Sequence, residues 1–270
     1  MYKTTRWLTA PFALSALAIA VTPNLATAEE FSAFDPIVEI NATDGDVGFH
    51  VLLDGDPWKR AKIYDGDGDR MFKGIGTDDL DEQGITELFM ESAEPPCWDD
   101  GEVDEDEIVT VEEFMERFEA GTYSARGRTI DGERLTAEGV LTHDLPAAPH
   151  TEYAIDGDEV TISWSGGDDL GNCAVPDGMD PGSVDVVRWE VVVEPNVDEL
   201  PGGELPPGVP FGKLTIQLPA DVTSLEVPDE FMAPYLDADV TEFKGEVGAK
   251  EVSGNQTFTE FEFSTDEEDD

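Results

Sequence analysis

Asp65, Asp67 and Asp69 alternate with glycine in Asp65-Gly66-Asp67-Gly68-Asp69, and carboxylates at that spacing open a calcium-binding loop. Such a loop also wants glycine at its sixth position and glutamate at its twelfth. Those places hold Arg70 and Gly76. A second partial match runs through Glu102, Asp104, Asp106, Thr110 and Glu113. It has Glu107 where glycine is needed, and Pro95-Pro96 prevents a helix from preceding it. Asp-Gly-Asp recurs at 44–46, 54–56 and 156–158. Repetition between extended runs favours turn chemistry, in which Asp bonds to its own backbone and Gly takes positive φ. Ca²⁺ at Asp65, Asp67 and Asp69 is therefore the one cofactor the sequence leaves open, and no other is implied.

Other chemistry finds little support. His50, His143 and His150 are far apart in sequence, and none has a metalloprotease-type partner; His143 and His150 are expected to be exposed. There is no Gly-x-Ser-x-Gly elbow and no glycine-rich phosphate loop. Acidic pairs are so frequent that a glycosidase-type pair could not be told from chance. The chain reads as a non-enzyme. Nine of its basic residues lie between Lys59 and Arg134, and Arg126, Arg128 and Arg134 fall on one predicted hairpin. Alternation puts Arg126 and Arg128 on the same face. They either pair with neighbouring acids, the ordinary state of surface charges, or form a partner-binding face.

The N-terminal 28 residues resemble an export signal. Lys3 and Arg6 precede a mainly apolar run from Leu8 to Val21, and Ala26-Thr27-Ala28 fits a small-x-small cleavage site. The run is shorter than a membrane span requires. Removing it leaves 13 basic against 63 acidic residues, a formal charge of −50. Such a charge disfavours nucleic acid and anionic membranes as partners and makes self-repulsion costly at low salt. Acids spread along the whole chain favour adaptation to salty surroundings over neutralisation by Ca²⁺. With 39% hydrophobic residues, the composition is that of a folded chain. In an oxidising compartment Cys97 and Cys173, the only cysteines, are expected to pair.

The elements are short and β-rich. Strands are expected at 37–42, 48–53, 59–64, 70–75 and 85–90, with a hairpin turn at 65–69. Thr110-Val111-Glu112-Glu113 is a capping box that starts a helix over 111–119, with Val111, Phe114, Met115 and Phe118 as its apolar stripe and Gly121 as its stop. A second hairpin turns at Asp131-Gly132. Further strands are read at 159–164, 186–193, 213–219, 243–252 and 258–263. Trp164 takes the inward phase of Val160-Ile162-Trp164.

Trp164 on a second strand, Leu225 before the penultimate strand, and a Ser253-Gly254-Asn255 turn before the last one resemble a fibronectin type III domain over 150–265. Phe243 stands where that family usually has tyrosine, so the corner there is expected to be held by packing alone. The helix before the 122–128 hairpin strand, with Tyr123 at the corner, resembles an immunoglobulin-like domain of secreted bacterial proteins over 29–144. The fold class is thus all-β: two tandem β-sandwiches, one short helix in the first, a Pro-rich linker at 145–149 and an acidic tail at 266–270. Segments 165–183 and 195–210 are long Gly/Pro/Asp-rich excursions. The implied function is an exported, secreted or periplasmic, non-catalytic binding or spacer protein whose partner is a protein or envelope polymer. The alternatives are a Ca²⁺-dependent structural or adhesion module, and an enzyme accessory domain or weak hydrolase.

Overall fold

The computed structural model describes residues 29–266 apart from positions 100, 102, 105, 158 and 201. The expected signal peptide, most of the acidic tail and Glu102 lie outside the described residues. In the first half, strands β1 (Glu29–Glu30), β2 (Ala33–Asn41), β3 (Asp46–Tyr64) and β4 (Arg70–Ile75) precede helix α1 (Asp79–Gln83) and strand β5 (Ile85–Glu91). Helix α2 (Val111–Arg117) leads into the hairpin of β6 (Gly121–Thr129) and β7 (Arg134–Leu141). The second half runs β8 (His150–Asp156), β9 (Glu159–Ser165), β10 (Arg188–Pro195), β11 (Leu214–Pro219) and β12 (Ser224–Glu226). It continues with α3 (Asp229–Leu236), β13 (Glu242–Lys250) and β14 (Gln256–Ser264).

The strands expected at 48–53 and 59–64 are one strand of 19 residues. The first part of β3 pairs with β2 and β5, and its last part pairs with β4 and β6. The register shifts between Asp54 and Trp58. Pro57, which has no N–H to give to a ladder, sits in that irregular stretch. One strand thereby serves both layers of the first sandwich. Its core gathers Val38, Ile40, Phe49, Leu53, Trp58, Ile63 and Phe114. In the second sandwich the sheet β12-β9-β8 faces the sheet β14-β13-β10-β11. Val160, Ile162, Trp164, Trp189, Val191 and Phe243 fill the space between, and Trp164 is buried as its phase requires.

Helix α2 has the full capping box, with Thr110 Oγ1 accepting from the Glu113 N–H and the Glu113 carboxylate accepting from the Thr110 N–H. It stops earlier than expected, at Arg117 with Phe118 as its C-cap, and Gly121 opens β6 instead. Helices α1 and α3 were not expected. Pro234 lies inside α3 and hides it, because proline argues against a helix interior. Met232 and Tyr235, one turn apart, bury into the second core and anchor it regardless.

Tyr123 and Tyr235 act as struts. Tyr123 Oη donates to the Glu119 carbonyl at 3.1 Å, four residues back along the chain, as a corner tyrosine does. Burial, then the nearby Asp65 and Glu119, pushes its pKa up to about 12, so it stays a donor. Phe243 stacks on Phe263 (centroids 5.4 Å) and meets Tyr235 edge-on (5.9 Å). The Tyr235 hydroxyl in turn reaches the Pro210 and Gly212 carbonyls at 3.3 and 3.4 Å. Packing therefore holds this corner as expected, with α3 adding a hydroxyl one residue removed.

The sandwiches are joined by strand pairing and by folded-back chain as well as through the linker. β14 pairs in parallel with β2 (Gln256↔Glu39, Thr257↔Ile40, Phe258↔Asn41), so the large sheet runs through both halves. Residues 145–149 are buried, and the Ala148 N–H donates to the Asp169 carbonyl. The excursion after β9 folds back onto the first half: Leu170 and Cys173 belong to the first core. Cys173 is bonded to Cys97 with Cα atoms 5.3 Å apart, so the expected disulfide is present. Gly171 lies over the Ala42 carbonyl with φ +66, and any Cβ there would collide with that oxygen.

Candidate functional site

The last part of β3 lies between β4 and β6, and β6 pairs with β7. Register sets Arg60 beside Arg128 and Arg128 beside Arg134; it sets Lys62 between Arg126 and Lys73. Ala61, Ile63 and Ala125 point into the core, so the residues alternating with them point out. The shift between Trp58 and Arg60 is what makes this possible. Trp58 is itself buried. On an unbroken strand Arg60 and Lys62 would share its inward phase.

The result is a face of six cations: Arg60, Lys62, Lys73, Arg126, Arg128 and Arg134. The ion pairs among the described residues involve His50, Lys213, Lys244 and Lys250, and none of the six. In a chain with 63 acidic residues, the six thus lie outside the ion pairs of the described residues. Two of the six have fixed geometry. The Arg126 guanidinium lies over the Tyr64 ring, 4.8 Å from its centroid, an arrangement that favours a cation on the π face. Arg128 donates to the Gly132 carbonyl at 2.7 Å and so secures the β6–β7 turn. A groove of about 410 Å³ runs along this face, lined by Arg60, Lys62, Tyr64, Arg126, Arg128 and Arg134 and by no carboxylate. The larger depression that Arg126 also lines, about 970 Å³, holds Glu30, Asp35, Asp65, Asp67 and Glu138, five carboxylates against one cation.

The structure thus brings together all three of the sequence-predicted arginines. It adds Arg60, Lys62 and Lys73, which sequence reasoning counted but could not place. The Asp65–Asp69 loop is the β3–β4 turn. The Asp65 carboxylate accepts from the Asp67 and Asp69 amides at 3.1 and 2.8 Å, and Gly68 takes φ +86. That carboxylate therefore serves the turn itself. His150 is exposed as expected, whereas His143 is half-buried with its Nε2 2.8 Å from the Phe118 carbonyl.

No protein-family model and no curated protein sequence matches the chain. Among solved structures, it is similar to one that bears on host cell surface retention of a 1.5-MDa bacterial ice-binding adhesin (13% identity, TM-score 0.23, 88% of this chain and 64% of that one). It is also similar to a Ca²⁺-stabilised, ice-binding adhesin of an Antarctic bacterium (13%, 0.27, 86% and 49%). A third is a tetra-tandem repeat from the extending region of a large adhesion protein (14%, 0.23, 87% and 50%). The chain spans about half to under two thirds of the length of these structures. At such TM-scores the likeness carries no argument about function.

Proposed function

We propose that this is an exported, non-catalytic binding protein whose basic sheet face docks an acidic polysaccharide of the cell envelope or its surroundings. The observation that carries the reading is the row of six cations without carboxylate partners on a chain of formal charge −48. Guanidinium forks match carboxylate and sulfate groups, and an open, ridged sheet face suits an extended chain. The disulfide supports an oxidising compartment, and with it the export reading of the first 28 residues. A three-stranded sheet facing a four-stranded one supports reading 150–265 as fibronectin type III-like. Residues 29–144 remain immunoglobulin-like in this reading.

The charge imbalance sets how such binding depends on salt. At low salt the acidic bulk repels any polyanion before it reaches the face. At about 0.15 M the Debye length falls to about 8 Å, and at 1 M to about 3 Å. Moderate salt removes long-range repulsion and leaves short contacts, so retention passes through a maximum instead of declining steadily. The test is retention of the mature chain on immobilised heparin and polygalacturonate across a NaCl series, alongside an Arg126→Ala/Arg128→Ala/Arg134→Ala variant. The expected result is a salt optimum for the wild type and loss of retention in the variant. Absence of retention at every salt concentration, or equal retention by the variant, would overturn the reading.

A further inference from the structure

On the other layer of the first sandwich, a cleft of about 530 Å³ opens where β2 and β3 meet β14. His50 projects into it from β3 and is only 5% exposed. Both of its ring nitrogens face carboxylates: Nε2 is 3.0 Å from Glu94 Oε1, and Nδ1 is 3.9 Å from Glu39 Oε1. A neutral imidazole has one donor and one acceptor nitrogen. If Nε2 donates to Glu94, the Nδ1 lone pair is left aimed at another acceptor, with no hydrogen between them. A buried, electron-rich nitrogen opposed to a carboxylate is what a cation resolves.

A glycine lets His50 and Glu94 come together. Gly48 precedes His50 by two residues and shares its face. A Cβ on Gly48 would fall 2.5 Å from Glu94 Oε1 and 2.8 Å from His50 Nε2. The backbone there is not in the left-handed region, so glycine serves the room it leaves and not the conformation. One nitrogen of His50 and one oxygen each of Glu39 and Glu94 lie within 4.8 Å of one another. Bonds of about 2.0–2.2 Å in a tetrahedral shell set ligand atoms about 3.3–3.6 Å apart, so the three groups must draw together to share one ion. Glu94, a third exposed, can close the gap by side-chain rotation.

We propose that Glu39, His50 and Glu94 bind one divalent transition-metal ion of the Zn²⁺ class. Imidazole selects such ions over Ca²⁺ and Mg²⁺, which prefer all-oxygen shells. Glu190, Lys250 and Glu260 reach the same cleft from the second sandwich, so the ion sits at the joint between the two. This site is on a different surface from the basic face and stands independently of it.

The test is calorimetric titration of chelator-stripped mature protein with ZnCl₂, in NaCl and in excess CaCl₂, beside the variants Glu94→Gln, His50→Gln and Gly48→Ala. One Zn²⁺ should bind per chain and survive excess Ca²⁺. Each variant should weaken it at least about tenfold, since even outer-shell changes cost that much. Far-ultraviolet dichroism checks folding; should His50→Gln unfold, the part-exposed Glu94→Gln still decides. Co²⁺ gives a second readout, a visible absorption band that Glu94→Gln abolishes. If no saturable Zn²⁺ binding appears, His50 only bridges two glutamates and the proposal fails. It also fails if Glu94→Gln and His50→Gln leave the binding unchanged, because the ion is then held diffusely by the acidic surface.

Discussion

Asn255 Oδ1 accepts the backbone N–H of Val38 at 2.8 Å, across 217 positions of sequence and from one sandwich into the other. Asn255 is fully buried in the turn between β13 and β14. Its Nδ2 group donates to the Thr142 carbonyl at 3.1 Å and Oγ1 at 2.9 Å, and to the Asp144 carbonyl at 3.2 Å. The buried Glu251 carboxylate holds the turn by accepting from the Asn255 and Ser253 amides. One side chain thus ties the second sandwich to β2 and to the chain leaving β7.

Asn255→Ala should therefore destabilise both halves together. The stranded Val38 N–H alone costs about 1–3 kcal/mol. Urea melts followed by Trp58 and Trp164 fluorescence, each isolated by replacing the other tryptophans, should move to lower midpoint in step. A shift confined to one probe would show that the two halves unfold independently.

Intact protein should show no alkylation by iodoacetamide before reduction, and two added groups after reduction and unfolding. The disulfide spans 76 positions of sequence, and closing a loop of that size is worth about 4 kcal/mol in the chain-entropy model. Cys97→Ser/Cys173→Ser should accordingly lower the denaturation midpoint. An unchanged midpoint would mean that packing around Leu170 suffices to dock the 165–183 segment.

Trp164→Ala should cost about 3–5 kcal/mol, the usual penalty for truncating a buried aromatic. Its indole packs against Trp189 with centroids 6.2 Å apart, but Nε1 has no hydrogen-bond partner among the described residues. Trp164→Phe should for that reason be much milder. Equal losses in the two variants would show that the indole N–H is bonded after all.

With a chelator present, the protein should gain thermal stability as pH falls from 8 towards 5. Asp46 is held at about 7 by burial, then by Glu94, Asp44 and Glu260. Glu39 and Glu260 are raised in the same direction, chiefly by burial. A carboxyl whose folded pKa exceeds its unfolded value stabilises in its protonated form. That contribution is complete below the unfolded value near 4 and is lost as pH climbs through 7. Asp46→Asn should raise the melting temperature at pH 8 and flatten the slope. A slope identical to wild type would assign the effect to the overall negative charge instead.

The sequence displayed the strand content, the capping box, the inward phase of Trp164 and the pairing of Cys97 with Cys173. Each rests on local pattern or on there being only two cysteines. The face around Arg126 was half visible. Alternation aligned Arg126 with Arg128, but only the register across β3 brings in Arg60 and Lys62, and register is a long-range property. The bulge at Trp58 that turns those two outward has no signature beyond Pro57. Glu39, His50 and Glu94 come from two strands and a loop, so no spacing rule could group them. The helix α3 was hidden by Pro234, whose local preference is overridden by the burial of Met232 and Tyr235.

Strand β14 lies beside β2, and Cys173 lies beside Cys97. A chain that emerges N-terminus first, from a ribosome or through a translocation pore, holds its first sandwich incomplete for most of its passage. The open edge of β2 waits for residues 256–258, and the Cys97 thiol waits 76 positions for its partner. Order of synthesis and order of folding are therefore uncoupled. Closure of the β2 edge is deferred until nearly the whole polypeptide is out. The delay leaves the early segment dependent on protection from wrong strand pairing in the meantime.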